Sequence, residues 1–156
     1  MKRLLLFSVI LSAFIAGPAA GQANVTVSAG GVYPAGTLFS SVPINALQSG
    51  YGVEIAANGS AVGQFCTILV GVNARGIQQN ITIVGKASVG SKTAINIVRF
   101  SGTCSVDMGD GTLAAPGVPF TAAITTDTND QGTIGLVIGA TTLPNAVVNA
   151  GSMTIK

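Results

Sequence analysis

Along most of this chain apolar and polar residues alternate, and the alternation is broken every eight to twelve residues by glycine, proline or asparagine. A period of two puts successive side chains on opposite faces of a strand. Asn24-Val25-Thr26-Val27-Ser28 follows it, as does Gly50-Tyr51-Gly52-Val53-Glu54-Ile55-Ala56. The strongest signal runs from Phe65 to Phe100. Phe65–Val72, Ile77–Val84 and Thr93–Phe100 read as three core strands, separated by the turn Asn73-Ala74-Arg75-Gly76 and by the glycine-flanked segment Gly85–Lys92. Phe120–Thr126, Thr133–Gly139 and Ser152–Ile155 complete the set, and Leu38–Leu47 reads as a short edge strand because of Pro43. Asn58-Gly59, Asp107–Thr112, Asp127–Gly132 and Leu143-Pro144-Asn145 carry turn chemistry.

No 3.6-residue period appears after the first two dozen residues. About eight to ten short strands at regular spacing predict an all-β fold, an antiparallel β-sandwich forming a single domain over residues 24–156.

The N-terminus reads differently. Lys2 and Arg3 precede the apolar run Leu4–Ala16, Gly17-Pro18 interrupts it, and small residues follow at Ala19, Gly21 and Ala23. That is the layout of a helical signal peptide over residues 1–23, with cleavage after Gly21 or Ala23. The run is short for a membrane span, and no later apolar run is long enough, so no transmembrane segment is expected after cleavage. The expected location is secreted: periplasm, cell surface or extracellular.

Composition sharpens this reading. Charged residues make up 8% of the chain, against roughly 25% in ordinary soluble domains. Without Lys2 and Arg3 the basic residues are Arg75, Lys86, Lys92, Arg99 and Lys156, balanced by Glu54, Asp107, Asp110, Asp127 and Asp130. A neutral chain offers no basic face for nucleic acid. It also lacks the self-repulsion that keeps proteins apart, which points to self-association or to other envelope or surface proteins as partners.

Cys66 and Cys104 are the two cysteines, and in an exported chain one disulfide is the expectation. It would close a loop of about 39 residues and add roughly 4 kcal/mol by the chain-entropy argument.

The candidate chemistry is sparse. With no histidine, Ser-His-Asp and Cys-His nucleophiles and histidine-ligated metals are excluded. Glu54 lies far in sequence from the aspartates, each of which sits in a turn, so capping is the better reading for them. Asp127, Asn129 and Gln131 stand at alternate positions followed by Gly132, a weak calcium pattern. Ile138 occupies the place where a bidentate Glu is required. Asp107 and Asp110 could join such a site only if the two turns meet. Asn24, Asn58 and Asn80 open Asn-x-Ser/Thr sequons. Tyr33 and Tyr51 are weak candidates for ligand contact, whereas the phenylalanines beyond the signal read as core.

The expectation is therefore a non-enzymatic structural or surface protein with no cofactor, with an extracellular ligand-binding or adhesin module as the alternative. In outline it resembles pilin-type subunits of bacterial surface fibres, a likeness of fold and not of motif. The resemblance implies assembly by strand exchange. Asn24–Ser28 and Ser152–Ile155, alternating strands at the two ends, are the segments that would be exchanged.

Overall fold

The computed structural model describes residues 21–156. The expected signal segment, up to Ala20, lies outside the described residues. Ten strands follow in order: β1 (Ala23–Val32), β2 (Leu38–Phe39), β3 (Val42–Ile55), β4 (Ser60–Val72), β5 (Gln78–Ala94), β6 (Ile97–Asp107), β7 (Ala115–Thr126), β8 (Gly132–Ile138), β9 (Thr141–Thr142) and β10 (Ala146–Ile155). Every pairing is antiparallel.

The all-β antiparallel reading holds. The expected pair of packed sheets takes the form of one sheet curled round until its opposite walls face each other across a shared core. The order is β1-β10-β8-β7-β6-β5-β4-β3-β2, and β1 also pairs with β3. That last pairing closes the sheet into an eight-stranded up-and-down barrel with β2 and β9 as short flaps. Ten residue pairs join β1 to β3 and eight join it to β10, so the N-terminal strand is fully embraced. The start of β1 and the end of β10 are tied together there: Asn24 N–H donates to Lys156 O (2.8 Å) and Lys156 N–H donates back to Asn24 O (3.0 Å). The thinnest part of the wall is β8–β10, with three pairs.

Alternation explains the closure. Inward positions such as Val25, Val27, Leu47, Phe65, Leu69, Ile81, Ile83, Ile124, Leu136 and Met153 are almost wholly buried, while their neighbours face water. A closed barrel satisfies every strand edge along its ladders, which an open sheet cannot do. Four aromatic rings fill its middle. Phe65 stacks on Tyr51 at 4.8 Å and on Phe120 at 4.4 Å, and Phe100 stands edge-on to all three at 5.8–6.3 Å.

The strands expected from sequence are lengthened and in one place re-cut. Gly85–Lys92, read as a loop, is inside β5, which runs for 17 residues. Gly85 is there because nothing larger fits: a Cβ would stand 2.7 Å from Thr103 O, 2.8 Å from Cys104 Cβ and 3.0 Å from the Phe120 ring. Conversely, Thr93–Phe100, read as one strand, contains the β5–β6 turn at Ile95-Asn96. Those two residues carry no strong turn signature. Asn96 earns its place by tertiary bonds instead, its amide donating to Thr126 O (2.9 Å) and its carbonyl accepting from Thr126 N–H (3.0 Å).

Candidate functional site

The expected disulfide is absent: Cys66 and Cys104 are both free thiols. Strand β5 lies between them, since Cys66 pairs with Val84 and Cys104 with the next residue, Gly85. Two strand spacings separate their backbones by about 10 Å, beyond the roughly 7 Å that a disulfide can bridge. Their faces differ as well. Cys104 points into the barrel, where its thiol donates to Val118 O at 3.3 Å and burial raises its pKa. Cys66 follows inward Phe65 and so lies on the outer face, half-buried. Counting cysteines gave the pair; only register decides which face each one takes.

The acidic residues do not converge. Strand direction puts the start of β1, the end of β10 and the turns at 56–59, 95–96 and 127–131 at one end of the barrel. The turns at 33–41, 73–77, 108–114 and 139–145 lie at the other end. Asp107 and Asp110 are thus a barrel's length from Asp127 and Asp130. The Asp127 carboxylate accepts from Asn129 N–H (2.8 Å) and Gln131 N–H (3.0 Å), while its own N–H donates to Gln131 O (2.7 Å). Asp127, Asn129 and Gln131 therefore form a self-capped β7–β8 hairpin turn, in which the Asp127 oxygen is already committed to the backbone. Among the described residues no three His, Cys, Asp or Glu side chains cluster as a metal site would require. Asp107 caps Gly109 N–H at 2.9 Å. Asp110 accepts from both the Thr112 hydroxyl (2.7 Å) and the Thr112 N–H (2.9 Å), and these bonds lower its pKa.

Both tyrosines weighed as ligand contacts are interior. Tyr51 donates to Ser49 Oγ at 2.9 Å and shares a 2.8 Å bond with Thr67 Oγ1, and these two hydroxyls are 3.0 Å apart. Burial, opposed by those hydrogen bonds, pushes the Tyr51 phenol up to about 12. Tyr33 sits under the rim. Its hydroxyl is buried without a hydrogen-bond partner, and burial raises its pKa further than that of Tyr51.

Two surface features remain. The first is the outer face of β4. Outward positions elsewhere are mostly Ser, Thr, Gly or amide, but here, beyond the polar Ser60 and Gln64, they are Cys66, Ile68, Val70 and Val72, with Val84 beside Cys66 on β5 and Val62 set apart by Gln64. Val62 is 74% exposed and Val84 48%. Next to this ridge a shallow trough of about 330 Å³ crosses β3, β1 and β10, floored by Gly50, Gly30 and Gly151 and bordered by Cys66 and Ile68. The sequence signal was legible as the unbroken apolar run from Ile68 to Val70, which alternation alone does not require.

The second is a cleft of about 390 Å³ in one mouth of the barrel. It lies between the β2–β3 lip (Phe39, Ser40), the β6–β7 loop (Met108, Thr112, Leu113) and the β8–β9 turn (Ala140, Thr141). No sequence motif marked it, because its walls come from three loops far apart in the chain. Comparison with protein-family models, with curated proteins and with solved structures finds no match for this chain.

Proposed function

We propose that this chain is a non-enzymatic structural or surface protein, exported from the cell, that works by associating with further copies of itself. The observation that carries the reading is the β4 ridge. A strand with apolar residues on both faces is the pattern of a strand covered on both sides, and contiguous exposed apolar surface marks an interaction site. The glycine-floored trough beside the ridge offers a complementary shape on the same wall, as a self-complementary two-fold contact needs. Low charge removes the repulsion that would oppose it.

Terminal strand exchange fits this reading less well. β1 is not a free edge, since it lies between β3 and β10, whereas β10 beyond Val148 has β1 alone as its strand partner. Face-to-face contact through β4 and β5 leaves the barrel intact. The polar outward residues of β1 and β3, such as Thr26, Ser28, Asn45, Gln48 and Glu54, do not make the apolar belt of a membrane-spanning barrel. Export cleavage after Gly21 is favoured over cleavage after Ala23, because Ala23 is buried and paired with Ile55.

The test is sedimentation of the exported protein over a hundredfold concentration range. Wild type is expected to shift to larger species with concentration. Ile68→Lys and Val84→Lys are expected to remain monomeric with unchanged circular dichroism. A wild-type monomer at all concentrations would rule the proposal out. The alternative, a ligand-binding module, is supported by the mouth cleft.

A further inference from the structure

We infer that the mouth cleft binds a small amine carrying an apolar chain or ring, independently of any self-association through β4.

The walls are apolar. Phe39, Val106, Met108, Leu113, Val118 and Ile138 contribute side chains. The volume of about 390 Å³ lies in the range of small-ligand clefts, and barrel mouths are favoured places for them. Leu113 is 97% exposed at the rim, a large apolar residue with nothing to cover it, while Phe39 is buried and forms the floor under the lip.

The lip is held in a costly shape. Ser40 and Ser41 both have positive φ, 46° and 72°. A two-residue hairpin with φ > 0 at both central residues normally uses Asn-Gly or Gly-Gly. Two serines keep this form only because the surroundings demand it, and such strain gathers at binding sites.

Charge selects the ligand. The three elements that build the cleft carry two charged groups, Asp107 and Asp110, and no cation. Asp110 is hydrogen-bonded to the lining residue Thr112, while Asp107 faces outward from β6 and caps Gly109 N–H. The charge that answers them at this end is Arg75, on the separate β4–β5 loop. An ammonium head at the rim is attracted by the Asp110 carboxylate, whereas a carboxylate head is repelled.

Three probes of equal chain length separate these contributions: decylamine, decanol and decanoate, each titrated at neutral pH against N-phenyl-1-naphthylamine fluorescence. Decylamine is expected to displace the dye at one site per chain, decanol several-fold more weakly, and decanoate weakest. Ala140→Trp, which fills the cleft from an exposed position, is expected to lower dye and decylamine affinity at least tenfold. Leu113→Ser, which leaves the core untouched, is expected to weaken both probes should Ala140→Trp fail to fold. Asp110→Asn is expected to bring decylamine towards decanol without changing decanol. Repeating the titration with Ile68→Lys separates this site from the β4 ridge, and binding there is expected to be unchanged. Absence of saturable binding, indifference to both cleft variants, or decanoate binding as tightly as decylamine would each overturn the inference.

Discussion

Ser40 and Ser41 hold backbone angles that asparagine and glycine adopt at less cost. Replacing Ser41 by Gly relieves one of them. The expected gain is about 0.5–1 kcal/mol, a few degrees in melting temperature, read by thermal denaturation. A drop instead would mean that the Ser41 side chain makes a contact worth more than the strain. The same scale holds the alkaline response. Tyr51 ionises at about 12 in the fold and near 10 when unfolded. A phenol whose folded pKa is raised contributes stability in full below pH 10, and that contribution is lost as pH climbs to 12. The loss is roughly 2–3 kcal/mol by pH 12. Tyr51→Phe should make this part of the pH profile shallower, leaving the share contributed by buried Tyr33, while lowering neutral-pH stability by about 1–2 kcal/mol, because Ser49 and Thr67 lose their shared partner. Urea melts at pH 8, 10 and 11.5 measure both effects.

At the scale of the element, β1 carries more than its sequence suggests. Asn24–Ser28 reads as an exchangeable terminal strand, and its removal would then spare the folded core. In the barrel it is hydrogen-bonded along both edges, and Val25 and Val27 are buried inside. Losing two buried valines and two ladders costs on the order of the whole net stability of a domain. Deletion of Asn24–Ser28 is therefore expected to abolish cooperative unfolding, as seen by circular dichroism. A folded deletion variant would restore the strand-exchange view. Alternation made β1, β4 and β8 legible, and Asn58-Gly59 marked the β3–β4 turn. The β5–β6 turn was not legible, because Ile95 and Asn96 owe their conformation to Thr126, about 30 residues away.

For the whole molecule, stability rests on closure and packing and not on a covalent staple. The aromatic cluster and the continuous ladder hold the walls together, and both thiols stand free on opposite faces. Reducing agent is accordingly expected to leave the melting temperature of the monomer unchanged. Cys66→Ala should change the unfolding free energy by less than about 1 kcal/mol, since only an outer half-buried side chain is trimmed. A marked fall on reduction would show that the two sulfurs do meet.

By itself the sequence determined the class of this protein: a period of two, turn residues at regular intervals and very few charges leave only an antiparallel β fold with an apolar interior. It also determined which chemistries are out of reach, because a chain without histidine cannot build a histidine-dependent site wherever its residues fall. Tertiary structure alone decided that the sheet closes, that Cys66 and Cys104 are kept apart, and that three loops frame a cleft. These depend on register and curvature, which arise from pairing between distant strands. A one-residue slip reverses every face, and local pattern carries no record of which strand will lie beside which.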